Sequence, residues 1–388
     1  MYNVQILNKI SPIGLEQFDK SKYAYGEEKE NPDALLLRSA KIHDMEFGKN
    51  VKAIARAGAG VNNIPIDRCS KEGIVVFNTP GANANAVKEL VFAALLMSAR
   101  RVAPALNWVQ ALKGSGEDVP AMIEKGKSKF AGPELKGKTL GIIGLGAIGI
   151  QVANLALAFG MEVYGYDPYL SVGAAWELSR NVKHANSLEE IYSKSDYITI
   201  HVPLNDDTKD TINAESIRRM KHGVRIVNFA RGGLVNTEDM VEALGEGLVS
   251  CYVTDFGNDA LLGVKGAVVF PHLGASTPES EDNCAKMAIN ELTDFIENGN
   301  IQNSVNLPNV VMERSGDARL CVIHENKPNM LSQILGLVAD KGFNVENLTN
   351  KSKKEYAYTI LDINGKADDA LAEAVEGVDG IIRARLIK

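Results

Sequence analysis

The chain has 388 residues, 45% of them apolar and 23% charged, with a net charge of −7. This balance suits a globular protein of two or three domains and speaks against a nucleic-acid or anionic-membrane partner. The start, MYNVQILNKISPIG, shows no leader pattern, LVFAALLMSA at 90–99 is about half a membrane span, and Cys69, Cys251, Cys284 and Cys321 form no C-x-x-C pair, so a cytoplasmic protein with no metal site is expected.

In chain order, ALLLRSA, VKAIARAG, GIVVFNT, TLGIIG, MEVYGYD, YITIHV, VRIVNFA and AVVFPH read as short buried strands over residues 1–300. Helical patterns separate them, which predicts parallel βαβ units. Residues 83–101 carry Val87, Leu90, Val91, Ala94 and Leu95 at helical spacing and predict a long buried helix. Residues 281–298 predict another, stopped by Gly299. The segment 299–317 reads as a connector. Beyond it, ARLCVIH, NMLSQILGLVADKG, NVENLTNKS, EYAYTILDI, ADDALAEAVEG and IIRARLI predict a separate ferredoxin-like βαββαβ module.

Residues 138–168, KTLGIIGLGAIGIQVANLALAFGMEVYGYDP, join a strand, Gly144-x-Gly146-x-x-Gly149, a helix and a second strand ending at Asp167. The glycines permit a tight turn, close approach of a pyrophosphate and helix–strand packing. The free N–H groups of the helix start, at Ala147 and Ile148, face the phosphates. Asp167 is placed for a ribose diol and would repel a 2′-phosphate, which favours NAD. The plainer reading is a glycine turn that only packs a helix. A flavin is the other cofactor that fits.

Three segments follow strands further on: NFARGGLVN at 228–236, TDFGNDALLG at 254–263 and FPHLGASTPES at 270–280. Ligands of open α/β sheets bind beyond the carboxyl ends of the strands, so Arg231 and His272 are expected in one crevice. An arginine can grip a carboxylate bidentately, and a histidine can take a hydroxyl proton as hydride leaves the adjacent carbon. The bland alternatives are a surface salt bridge and a satisfied histidine at a strand end.

These elements, in this order and spacing, resemble the D-isomer-specific 2-hydroxyacid dehydrogenase family over nearly the whole chain. NSVNLP at 303–308 and the terminal module resemble its phosphoglycerate-oxidising branch, in the short form with an ACT regulatory domain. The resemblance implies an α/β protein of two Rossmann-like doubly wound lobes plus ACT. A substrate-binding domain would comprise 1–97 and 286–305, an NAD-binding domain 98–285, and the ACT domain 318–388. The implied reaction is NAD-dependent oxidation of 3-phosphoglycerate to 3-phosphohydroxypyruvate, at the head of serine synthesis. The alternatives are another D-2-hydroxyacid, or an NAD-binding sensor akin to corepressors of this fold.

By the same resemblance Pro203, Phe229, Ala230, Arg231, Asp255, His272 and Gly274 join the cofactor site. Arg38, Arg56, Gly60 and Val61 of RAGAGVNN, and Asn83, meet the substrate. His324, Asn326 and Asn344 take an L-serine effector across paired ACT domains, in a homodimer or homotetramer. Asn329 stands where many ACT domains have glycine. The chain departs from the family once near the catalytic histidine. The family's Asp-x-x-x-x-Glu supplies a glutamate to that histidine. Asp255 matches the aspartate, but Ala260 holds the glutamate position. Asp259 is the candidate substitute, although on an extended segment it points the opposite way.

Overall fold

Three sheets organise the protein in the computed structural model, which describes residues 1–116 and 118–388. The first has five parallel strands: β1 (Tyr2–Ile6), β2 (Tyr23–Gly26), β3 (Ala34–Leu37), β4 (Ala53–Arg56) and β5 (Val75–Phe77), in the order β2-β1-β3-β4-β5. The second has seven: β6 (Thr139–Ile143), β7 (Glu162–Tyr166), β8 (Lys183–His184), β9 (Tyr197–Ile200), β10 (Val224–Asn228), β11 (Val249–Thr254) and β12 (Ala267–Val269). They are parallel, in the order β12-β11-β10-β9-β6-β7-β8. The third is antiparallel: β13 (Ala318–Glu325), β14 (Asn344–Lys353), β15 (Tyr356–Asn364) and β16 (Ile381–Ile387), in the order β14-β15-β13-β16. β3, β6 and β9 are buried at every residue, as strands with both faces covered must be, so they read as continuous apolar runs.

The chain divides into two compact units, Met1–Ala82 with Pro278–Lys388, and Asn83–Thr277. These boundaries differ from those expected. Residues 83–97 belong to the second unit, because Val87, Val91 and Leu95 of the Ala84–Arg100 helix share a core with Leu140 and Ile142 of β6. Residues 278–285 belong to the first, where one helix runs from Pro278 to Asn298 and ends before Gly299 at φ +74°.

The terminal βαββαβ module forms as expected, but its core is continuous with the first sheet's. Alternation divides its strands between two faces. Leu320, Val322, Leu361 and Ile363 pack beneath its helices. Cys321, Ile323, Tyr358 and Ile360 join Val4, Phe77 and Phe295 in one shared core. Arg385 donates to the carbonyls of Phe295 and Ile296, and Tyr358 Oη to that of Gly299 at 2.6 Å. Arg319 and Asp362 are fully buried beneath this junction. All four cysteines are unpaired and buried. Among the described residues no helix is long and apolar enough to cross a membrane, and no group of three or more His, Cys, Asp or Glu is placed to hold a metal.

Candidate active site

β6 and β9 are neighbours, yet the chain continues from them in opposite directions across the sheet. Open α/β sheets bind ligands beyond the carboxyl ends of the strands at such a divergence. Gly144 leaves β6 at φ +94°, and a Cβ there would lie 2.8 Å from the His201 carbonyl carbon. Gly149 lies against the Gly144 carbonyl, where a Cβ would come to 2.0 Å. Gly146 caps the Ala147–Ala158 helix, and a Cβ on it would meet nothing within 4 Å. The unpaired N–H groups of Ala147 and Ile148 therefore open onto free space. Asp167 follows β7 and receives the Leu145 and Tyr169 N–H groups, both at 2.8 Å. A cradle of N–H groups with a carboxylate beside it fits a dinucleotide such as NAD.

His201, which the sequence reading passed over, meets Thr199 Oγ1 at 3.0 Å beside this loop. Burial holds its pKa down to about 3, so it stays uncharged. Pro203 lies two residues further on and is exposed.

Asp255, Arg231 and His272 follow the carboxyl ends of β11, β10 and β12. Asn228, fully buried at the end of β10, shapes the Arg231 bend. It donates to the Arg231 carbonyl at 2.9 Å and accepts the Ala230 N–H at 3.1 Å. Arg231 is exposed, with Nη1 resting on the Ala230 carbonyl at 2.7 Å. Phe229 packs on Phe270 at 5.9 Å between ring centres. Asp255 is 5% exposed, and neither of its carboxylate oxygens has a side-chain hydrogen-bond partner. Burial pushes its pKa above the ordinary range, while His272, the backbone N–H groups of Asp255 and Gly274, and the Arg231 charge pull it back. Gly274 lies beside Asp255: a Cβ on it would sit 3.4 Å from Val87 and 3.7 Å from Asp255 Oδ2, ordinary contact distances.

The His272 side chain is exposed and meets Phe256 edge-on, 5.0 Å between ring centres at 82°. No described residue hydrogen-bonds its ring. Residues 258–263 form a turn rather than an extended segment. The Leu261 N–H bonds to Asn258 Oδ1 at 3.2 Å, and the Leu261 side chain is sunk into the core. Burial of Leu261, rather than strand alternation, sets the direction of its neighbours. Asp259 and Ala260 are exposed, and Asp259 makes no bond to His272.

In the first unit, Arg38 Nη1 pairs with Glu281 Oε1 at 2.7 Å. Arg56 Nε donates to the Arg38 carbonyl at 2.8 Å. Its guanidinium carbon lies 3.4 Å from where a Cβ of Gly58 would be. Gly60 and Val61 are half-buried on the same loop. Asn83 begins the Ala84–Arg100 helix in the second unit, and its side chain makes no capping bond.

His324 departs from the expected ligand role. It is 3% exposed, with Nδ1 2.8 Å from the Glu325 carbonyl and Nε2 2.8 Å from Thr359 Oγ1. Strand alternation turns it to the helix-covered face with Leu320 and Val322, so both ring nitrogens are committed inside the fold. Asn326 Nδ2 donates to the Lys354 carbonyl at 3.1 Å, and Asn344 is exposed at the start of β14. Asn329 adopts φ +69° before the Met330–Asp340 helix, so asparagine sustains the left-handed turn.

The sequence profile described as "D-isomer specific 2-hydroxyacid dehydrogenase, NAD binding domain" matches residues 92–274. The hydroxypyruvate reductase of Thermotoga maritima is 41% identical over 261 residues, covering 64% of this chain and 80% of that protein. The chain belongs to the D-isomer-specific 2-hydroxyacid dehydrogenase family. Its terminal module matches an "AHAS small subunit-like ACT domain" over residues 320–383. D-3-phosphoglycerate dehydrogenase of Bacillus subtilis is 34% identical over 326 residues, 79% of this dehydrogenase-family chain. The chain spans 59% of that relative's length. The NAD+-bound 3-phosphoglycerate dehydrogenase of Entamoeba histolytica matches with TM-score 0.61 and 28% identity, over 79% of this chain and 98% of that one.

Within this dehydrogenase-family site, the sequence reading did not single out Asn228, Phe256 or His201. All three lay inside the quoted segments, and a polar residue ending an apolar strand was the available signal for Asn228 and His201.

Proposed function

We propose that the chain is an NAD-dependent dehydrogenase interconverting 3-phosphoglycerate and 3-phosphohydroxypyruvate. The observation that carries this is the placement of Arg231, Asp255 and His272 just past the carboxyl ends of β10, β11 and β12, neighbouring strands of the sheet that holds the dinucleotide cradle. The Gly144–Gly149 turn and Asp167 would hold NAD, which supplies a hydride acceptor when bound. Arg231 grips the substrate carboxylate. His272 removes the hydroxyl proton as the carbonyl forms, and returns it in reduction. The buried Asp255 carboxylate places a negative charge at the same strand ends, and Phe256 holds the ring edge-on. Together they serve where the family glutamate is replaced by Ala260, and Asp259 takes no part. Arg38 and Arg56 supply positive charge to the anionic substrate, with the backbone at Gly60 and Val61 and the Asn83 amide as further contacts.

A second reading, reduction of unphosphorylated hydroxypyruvate, is favoured by the 41% identity to the Thermotoga reductase. The ACT module is proposed to sense L-serine through Asn326 and Asn344, with His324 as an internal strut, in a homodimer or homotetramer. Following NADH absorbance with phosphohydroxypyruvate and with hydroxypyruvate, each with and without L-serine, tests these readings. A kcat/KM higher for hydroxypyruvate overturns the first, and identical rates with serine overturn the effector.

A further inference from the structure

Glu291 lies near the middle of the Pro278–Asn298 helix and is 8% exposed, away from the residues proposed for chemistry. Its Oε1 accepts the Asn303 Nδ2 hydrogen bond at 2.7 Å, and its Oε2 has no partner. Asn303 sits at φ +54°. Its carbonyl receives the Asn78 N–H at 3.5 Å. Asn78 in turn donates its Nδ2 to the Ala59 carbonyl at 2.5 Å. Thr79, next along, donates its N–H to the Gly58 carbonyl at 3.2 Å. A buried carboxyl is thereby joined through two asparagines to the 56–63 loop.

We propose that Glu291 is a positioning residue for the substrate loop, and that its uncharged form holds Asn303, and through it Asn78 and Ala59, in place. This rests on the assignment of that loop to substrate under the proposed function. The surroundings suit a neutral carboxyl. The Pro12–Leu15 helix, β5 and residues 299–310 carry no ionisable side chain. β4 ends in Arg56, whose Nε is on the Arg38 carbonyl. From the terminal sheet, Lys353 sits on the Ser304 and Val305 carbonyls. Arg319 and Arg385 hold carbonyls of Asn298, Phe295 and Ile296 further along the helix. Tyr358 and Cys321 are buried beside Phe295, and Cys284 lies two turns back on Glu291's own helix. Arg319 is itself paired with Asp362.

Burial pushes the Glu291 pKa up to about 8, with the Asn303 amide pulling it back. A raised carboxyl pKa means that the folded state holds a proton the unfolded state has lost. The contribution to stability is complete below the unfolded value and is lost as pH rises through about 8. Ionisation leaves an uncompensated charge beside Asn303, which is relieved when water enters and the Asn303–Asn78 support loosens.

Amide hydrogen exchange of residues 56–63 at pH 6 and pH 9 tests this on the full chain, comparing wild type, Glu291→Gln and Asn303→Gly. Wild type and Glu291→Gln should match at pH 6, and at pH 9 the wild-type loop should exchange roughly threefold to tenfold faster. Asn303→Gly keeps the left-handed backbone but cuts the link, so its loop should exchange fast at both pH values. In turnover, the wild-type KM should rise between pH 7 and 9 with little change in kcat, while the Glu291→Gln KM stays flat. Equal loop exchange in wild type and Glu291→Gln at pH 9 would overturn the proposal. Absence of turnover of any 2-oxo acid by wild type would remove the proposed function and leave exchange to decide Glu291.

Discussion

Two buried carboxylates, Asp362 and Asp255, show how differently one fold can treat the same group. Asp362 is met by Arg319 Nε at 2.6 Å and Nη2 at 2.8 Å, and by the Ser315 N–H at 2.7 Å. Arg319 spends its remaining donors on the carbonyls of Asn298, Met312 and Glu313. Every charge there is answered within the protein, and the knot ties β13 and β15 to the helix end and the connector. Asp255 is nearly as deeply set but has no side-chain partner, and the histidine and arginine at the neighbouring strand ends are exposed. A satisfied pair needs nothing further. An unsatisfied carboxylate costs stability and is kept where something must bind or react.

This contrast can be broken by substitution, and the largest expected effect is at the unsatisfied end. His272→Asn should lower kcat by about 10²- to 10⁴-fold while NADH affinity, read by fluorescence titration, changes little. An equal loss of NADH binding would mean that His272 serves the cofactor cradle rather than proton transfer.

At the satisfied end, Arg319→Met should cost about 3–5 kcal/mol, because it strands Asp362 in the interior. The check is the urea unfolding midpoint. Adding Asp362→Leu should recover part of that loss, since the unpaired charge is then gone. A double variant no better than the single one would show that the knot's value lies in its backbone contacts.

Asp255→Asn sharpens the comparison through pH. The raised pKa of Asp255 gives stability that is complete below the unfolded value and is lost as pH rises through the folded one. The asparagine variant should therefore melt roughly 2–4 °C above wild type at pH 8, with no gain at pH 3, while its kcat/KM falls. Scanning calorimetry at the two pH values reads the first part. A lower melting temperature at pH 8 would place Asp255 with Asp362 as a structural group.

The smallest effect belongs to Ala260→Glu. Because Asp255 and Phe256 serve where the family has its glutamate, kcat/KM should rise by less than about 10-fold. A larger gain would show that the site lacks an orienting carboxylate.

Much of this was legible in local pattern. The alternation of short apolar runs with helical periods gave the parallel sheets, and glycine spacing ahead of Asp167 gave the cradle. The terminal βαββαβ order was readable strand by strand. The turn at 258–263 was not, because whether Leu261 or the strand period directs that segment depends on a core assembled from distant residues. His324 looked like a ligand group, yet its partner Thr359 lies 35 residues on in a neighbouring strand. Arg319 stood unremarked within ARLCVIH, and its meaning came from Asp362, 43 residues away.

The sequence by itself determined the element order, the dinucleotide turn and the family, because backbone period and glycine placement act over a few residues. Only the tertiary structure decided which polar groups are answered. Asp362 and Asp255 both follow apolar stretches and are indistinguishable by local pattern. One meets an arginine across a strand pair, and the other is left without a side-chain partner beside His272. Desolvation and pairing are set by neighbours far apart in the chain, and those neighbours exist only once the sheets have packed.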